Sequence, residues 1–139
     1  MTKNNQQTFI KRLFIYQNER FPILGHGTLI LVFTFSAISY SRICRSATGF
    51  IPWEDFFIGV FVTIALFFLL RIFDEFKDQK DDAKYRAYLP VPRGLISLNE
   101  LKIVGFITFS LQLLLITVFQ YQMLGLFMIV ILYLSLIHI

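Results

Sequence analysis

The residues best suited to chemistry lie in one charged stretch, positions 71–102, which reads RIFDEFKDQKDDAKYRAYLPVPRGLISLNELK. Asp74, Asp78 and Asp82 are spaced by four, so a helix places them on one face, and Glu75 lies near that face. Carboxylates stacked in this way repel one another unless water or a cation bridges them. Oxygen ligands at this density suit a hard cation, above all Mg²⁺, which proteins often bind through one or two carboxylates together with substrate phosphates.

Basic side chains alternate with these carboxylates. The residues that could contact a diphosphate are Lys77, Lys84, Arg86 and Arg93. The combination predicts a site for a diphosphate held by Mg²⁺. A second interpretation is that mixed charges merely solvate a surface helix, and the spacing alone leaves both open.

The composition of the chain indicates where such a site would lie. Hydrophobic residues make up 56% of the 139 residues and charged residues 16%, against roughly 45–50% and about 25% in soluble domains. This excludes a disordered tail and an ordinary soluble enzyme. The single cysteine, Cys44, excludes an intrachain disulfide, and the two histidines exclude a His-rich metal site.

Windows without charged residues locate the helices that position the site. A helix of about 20 residues crosses a hydrocarbon core of roughly 30 Å. The uncharged run from position 103 onward is too long for one such helix and divides at Gln120–Tyr121–Gln122. The sequence predicts an all-α integral membrane helical bundle, a single transmembrane domain over 1–139. Its four transmembrane helices are predicted near 23–42, 53–75, 100–119 and 122–138.

Several shorter patterns refine this prediction. The segment 8–16 could form an amphipathic helix lying on the membrane surface. Ser97 and Glu100 have the spacing of a capping box at the start of the third span. We expect Gln112 to join two helices by a hydrogen bond. Arg71 either pairs with a neighbouring carboxylate, that of Asp74 or Glu75, or extends to the membrane interface.

The distribution of Lys and Arg predicts the orientation. Four lie in the N-terminal stretch and seven between 71 and 102, whereas the loop after the first span has only Arg42 and Arg45. The positive-inside rule then predicts a cytoplasmic N-terminus and a cytoplasmic Asp-rich segment, 74–97, in a plasma (inner) membrane. Because membrane orientation explains the basic charge, no nucleic-acid partner is predicted.

The linear pattern adds a resemblance. Asp74-Glu75-x-x-Asp78-x-x-x-Asp82 resembles the first aspartate-rich motif, N-D-x-x-D-x-x-x-D, of the UbiA-type intramembrane prenyltransferases. That family also has an R-P-L-x-x-G-x-I-S-like stretch downstream, where this chain reads LPVPRGLIS over positions 89–97. Leu89 stands where the family usually has Arg.

The resemblance implies a Mg²⁺-dependent enzyme that transfers a prenyl group from an isoprenoid diphosphate to an apolar or aromatic acceptor in the lipid bilayer. Asp74, Glu75, Asp78 and Asp82 would bind the donor diphosphate and Mg²⁺, with Asp74, Asp78 and Asp82 as metal ligands. No separate catalytic residue is identified.

The family has a nine-helix fold with a second aspartate-rich motif, and no acidic residue follows Lys102 here. We therefore expect a truncated N-terminal part of that fold, inactive or nearly so as this fragment. The alternative is a small non-enzymatic membrane protein whose acidic cytoplasmic loop binds divalent cations or a partner.

Overall fold

In a computed structural model, which describes residues 8–137, every regular element is a helix. The elements are α1 (Phe9–Arg20), α2 (Ile23–Cys44), α3 (Trp53–Lys77), α4 (Gln79–Tyr85), α5 (Leu98–Phe119), a 3-10 turn (Tyr121–Met123) and α6 (Leu124–Ile137). Three of them, α2, α3 and α5, are long and apolar enough to cross a membrane. The predicted all-α architecture is confirmed, and these three helices are consistent with a membrane bundle.

The last predicted span is shorter than expected. The 3-10 turn takes up Tyr121–Met123, so α6 has only 14 residues. At 1.5 Å per residue α6 is about 21 Å long, less than the roughly 30 Å of a hydrocarbon core. The described residues therefore contain three helices of spanning length and not four. Position 138, where the prediction ended this helix, lies outside them.

Helix α3 is the centre of the bundle, because both α2 and α5 pack against it. Gly59 permits a close approach of α2, since a Cβ atom there would lie 3.2 Å from Cδ1 of Ile38 and 3.3 Å from Cγ2 of Thr34. On the α5 side there is more room, because a Cβ atom at Gly105 would lie 3.5 Å from Cγ2 of Ile72. Small residues commonly allow such approaches in membrane helix pairs.

Two interhelical hydrogen bonds set the antiparallel register of α3 and α5. The Gln112 side-chain amide donates to the carbonyl of Val62 over 2.9 Å, and Gln112 is fully buried. At the opposite end of α3 from the acidic motif, the Gln120 amide donates to the Asp55 carboxylate over 2.8 Å. The interhelical bond predicted for Gln112 is confirmed, and the predicted break at Gln120 is confirmed as the end of α5.

A small hydrophobic core closes the charged end of the bundle. It comprises Tyr16, Ile72, Ile96, Leu101 and Val104. Tyr16 belongs to α1 and is fully buried. The amphipathic helix predicted over 8–16 therefore runs further than expected and packs on the protein, where its apolar side chains find partners in α3 and α5.

The start of α5 is capped as its sequence predicts. The backbone N–H of Glu100 donates to the Ser97 hydroxyl, and the backbone N–H of Ser97 donates to the Glu100 carboxylate. Gly94 precedes this cap with a φ of 77°, a conformation that L side chains rarely adopt. The predicted capping box is confirmed, and a turn at Gly94 precedes it.

Candidate functional site

The acidic motif lies at the end of α3 and in α4. The chain deviates from helical geometry at Asp78, where φ is −91° and ψ is 8°. Two backbone hydrogen bonds bridge this junction, from Asp78 N–H to the Asp74 carbonyl (2.9 Å) and from Asp82 N–H to the Asp78 carbonyl (2.8 Å). The i, i+4 backbone hydrogen bonds thus continue across the junction, but the three aspartates do not share one environment, because Asp82 is buried whereas Asp74 and Asp78 are half-buried.

Glu75 is engaged by a distant arginine. Its side chain is only 1% exposed and accepts a hydrogen bond from Nε of Arg20 over 2.6 Å. The two residues are 55 positions apart in the sequence, and α1 brings Arg20 to the end of α3. In this arrangement the guanidinium supplies the positive charge that a buried carboxylate requires.

Asp82 is also buried, with 3% of its surface exposed, and it pairs with Arg86 at 3.4 Å. A cavity of about 120 Å³ separates it from the turn after α4. The residues around this cavity are Glu75, Gln79, Asp82, Ala83, Val91 and Pro92. The two most buried carboxylates of the motif therefore face the protein.

Asp74 and Asp78 differ from them, because both are only half-buried. An oxygen of Asp74 lies 3.3 Å from Nη1 of Arg71, which confirms one of the two predicted roles of Arg71. Arg71, Asp74 and Asp78 lie on the same face of α3 as Val60 and Phe67. The successive spacings along this stripe are seven, four, three and four residues, which are helical spacings. Carboxylates at the charged end and apolar groups in the span thus share one face of α3.

Most of the contacts that α3 makes in the bundle are on its other faces, although Phe56, at the far end of the same face, contacts the ring of Phe35 of α2 at a centroid distance of 6.1 Å. Gly59 meets α2, Ile72 meets α5, and Glu75 meets α1. A helix turns about 100° per residue, which places the face of Asp74 and Asp78 roughly opposite the one that carries Ile72. The side chain of Phe67 on that stripe is 42% exposed. Near the charged end this face is therefore partly exposed, with Asp74 and Asp78 half-buried.

The four basic candidates are placed differently. Lys77 is exposed at the end of α3, beside Asp78, and Lys84 stacks on the ring of Tyr85 at 4.7 Å. Arg86 pairs with Asp82, and Arg93 donates to Glu19 of α1 over 2.8 Å. Two of the four are therefore already paired with carboxylates in this conformation.

Sequence reasoning missed the part played by α1. Arg12 makes two hydrogen bonds to the Glu100 carboxylate, at 2.6 and 3.1 Å, and this bonding raises the pKa of Arg12. Burial, together with the nearby Glu75 carboxylate, raises the pKa of the Tyr16 hydroxyl. The signal was available, because Arg12, Tyr16 and Arg20 are spaced by four and share one helical face.

The carboxylates available for Mg²⁺ are fewer than the motif contains. Within residues 8–137 there is no group of three or more His, Cys, Asp or Glu residues placed to hold a metal ion. A Mg²⁺ ion that retains waters and binds a diphosphate needs only one or two carboxylates. Asp74 and Asp78 are half-buried, and Asp74 also pairs with Arg71, as Glu75 pairs with Arg20 and Asp82 with Arg86. Two such carboxylates would hold Mg²⁺ only together with phosphate oxygens and water.

A search with models of known protein families finds no match to this chain, and neither curated proteins nor solved structures give one.

Proposed function

We propose that the chain provides one carboxylate half-site of a Mg²⁺-dependent intramembrane prenyltransferase, which transfers a prenyl group from an isoprenoid diphosphate to an apolar or aromatic acceptor. The observation that carries this proposal is the face of α3 with Asp74 and Asp78 at its charged end. These half-buried carboxylates follow Val60 and Phe67 on the same face. An amphiphile with a diphosphate head and an apolar tail matches that order of polar and apolar groups.

The chemistry of the residues supports a role in holding the leaving group. Prenyl transfer breaks the bond between the allylic carbon and the diphosphate oxygen, and the electron pair leaves with the diphosphate. Bound Mg²⁺ would stabilise the negative charge that develops there. In this proposal Asp74 and Asp78 hold the ion, and Lys77 contacts phosphate oxygens directly. Glu75 pairs with Arg20 and Asp82 pairs with Arg86, and these ion pairs hold the end of α3 and α4 in position.

The proposal predicts binding and not turnover by this chain. The resemblance to UbiA-type enzymes implies a second acidic motif that completes the cavity, and no acidic residue follows Lys102. One half-site can hold part of a metal–diphosphate group but cannot shield an allylic cation from water. We therefore expect affinity for a prenyl diphosphate with little or no transfer.

The test measures binding of geranyl diphosphate to the purified full chain in detergent, with MgCl₂ or with EDTA. We expect Asp78→Asn to weaken Mg²⁺-dependent binding about tenfold or more, because the neutral amide no longer attracts the ion. Glu54→Gln is the matched control, since it removes a carboxylate from the opposite end of α3. Binding that persists in EDTA, or that both variants weaken equally, would contradict the proposal.

A second candidate function is a non-enzymatic one, in which the charged end binds divalent cations or a partner. It is favoured by the ion pairs Arg12–Glu100, Arg20–Glu75 and Glu19–Arg93, which tie α1 to the rest of the charged end. Such a scaffold would bind Mg²⁺ equally well with and without geranyl diphosphate. A titration of the same protein with Mg²⁺, in the presence and in the absence of geranyl diphosphate, therefore separates the two candidates.

A further inference from the structure

A second concave surface lies between α3, α5 and α6, away from the acidic motif. On α3 it is lined by Leu69, Ile72, Phe73 and Phe76, which are spaced as one helical face. By helical register this face is roughly opposite that of Asp74. The groove, with a volume of about 540 Å³, therefore does not belong to the proposed diphosphate site.

The groove walls are almost entirely apolar. From α5 the apolar lining is Gly105, Phe106 and Phe109, and from α6 it is Ile131. Gly105 keeps the groove open at this point, because it presents no side chain between Phe106 and α3. A volume of this size is within the roughly 300–1,000 Å³ typical of small-molecule sites, and the lining suits a hydrocarbon chain.

The two polar residues that line the groove lie at one end. Lys102 is in the first turn and a half of α5, and Ser135 is near the end of α6. Since α5 and α6 are joined by a short turn and run antiparallel, both residues are at the charged end of the bundle. None of the ion pairs within residues 8–137 includes Lys102. Its ammonium group is therefore available to an anion at the mouth of the groove.

We propose that this groove binds an anionic phospholipid, with an acyl chain along the aromatic walls and the phosphate at Lys102. The inference goes beyond the proposed function and does not depend on it. Charge complementarity selects this occupant: among residues 8–137 no carboxylate lines the groove, so a zwitterionic headgroup gains less from Lys102 than one with net negative charge. Basic sites between membrane helices are known to select anionic headgroups on these grounds.

The test uses native mass spectrometry of the full chain in detergent, without Mg²⁺, with phosphatidylglycerol or phosphatidylcholine added. We expect phosphatidylglycerol to bind about fivefold more tightly, the preference that one lysine near a headgroup provides. Lys102→Gln removes that preference and leaves phosphatidylcholine binding unchanged. Lys11→Gln, which removes an exposed charge from α1, preserves it.

A second pair of variants tests the apolar part of the groove. Ile131→Trp fills the groove and is expected to reduce binding of both lipids at least tenfold. Leu132→Trp adds the same bulk at the neighbouring position, which is 59% exposed and does not line the groove. It should bind both lipids as the unmodified chain does.

Four results would overturn the proposal. The first is equal affinity of the unmodified chain for the two lipids, and the second is an equal loss in Lys11→Gln and Lys102→Gln. The third is a dimer that Ile131→Trp abolishes, which would assign the groove to a second copy of the chain. Displacement of bound phosphatidylglycerol by inorganic diphosphate would instead assign Lys102 to a soluble anion. Because Asp78→Asn leaves the groove intact, failure of the diphosphate site does not affect this test.

Discussion

At the scale of single residues, the pairing of Glu75 with Arg20 decides how the acidic motif is used. A carboxylate with 1% exposure is costly to bury without a partner, and the 2.6 Å bond to Arg20 supplies one. Asp74, one position earlier, remains half-buried on a different face. Two neighbouring acidic residues thus have different roles because a helix turns them to different surroundings.

Replacing Arg20 tests this pairing. Arg20→Met leaves Glu75 buried without its counter-charge, and breaking such a pair costs about 3–5 kcal/mol. We expect a clear fall in the apparent Tm of the protein in detergent. The double variant Arg20→Met/Glu75→Gln should recover most of it, because no uncompensated charge remains.

The matched control for this pair is Lys11→Met, which removes an exposed charge from the same helix. A change of less than about 0.5 kcal/mol is usual for such surface sites. If Arg20→Met were no worse than Lys11→Met, the ion pair would contribute nothing and Glu75 would be open to other ligands.

At the scale of elements, glycine positions decide how closely the spanning helices approach α3. A Cβ atom at Gly59 would lie 3.2 Å from Cδ1 of Ile38 and 3.3 Å from Cγ2 of Thr34, whose branched side chain is stiff in a helix, whereas a Cβ atom at Gly105 would lie 3.5 Å from its nearest neighbour, Cγ2 of Ile72. The α2–α3 contact therefore has no spare space for a methyl group, and the α3–α5 contact has some.

We accordingly expect opposite effects from two alanine substitutions. Gly59→Ala places its methyl group 3.2–3.3 Å from α2 side chains, so the side chains of Thr34 and Ile38 must move slightly and we expect the apparent Tm to fall. Gly105→Ala fits at 3.5 Å or more and gains up to about 1 kcal/mol of helix propensity. Thermal unfolding of the two variants in one detergent makes the comparison, and equal Tm values would contradict this account of the packing.

At the scale of the whole molecule, the charged groups gather at one end of the bundle. The ends of α1, α3 and α5 that carry Arg20, Asp74 and Glu100 meet there, whereas Cys44 and Trp53 lie at the other end, across the length of α2 and α3. Among residues 8–137, ten basic residues lie in the segments 8–20 and 71–102 at the charged end, and Arg42 and Arg45 lie at the other, so the positive-inside rule predicts that the charged end is cytoplasmic.

The single cysteine provides a direct test of this orientation. Cys44 is exposed at the end of α2, so a membrane-impermeant maleimide should label it on intact cells. In the variant Cys44→Ser/Lys80→Cys, labelling should require permeabilised cells, because position 80 is at the charged end. Labelling of the second variant on intact cells would reverse the predicted orientation.

Much of the architecture could be predicted because it depends on interactions within a few residues. The three long apolar helices, the Ser97–Glu100 capping box and the end of α5 at Gln120 follow from hydropathy, local hydrogen bonding and chain geometry. The shorter α6 was missed because a 3-10 turn at 121–123 cannot be distinguished from the first turn of a helix by composition.

The sequence by itself determined a helical membrane chain with one acidic segment whose carboxylates recur at helical spacing. Only the tertiary structure decided which of these carboxylates are buried and which partner each one has. Arg20 and Glu75 are 55 positions apart and Arg12 and Glu100 are 88 apart, and no periodic pattern specifies such partners. These partners are brought together when α1 packs through its buried Tyr16 onto the charged end. A buried charge is costly unless an opposite charge pairs with it.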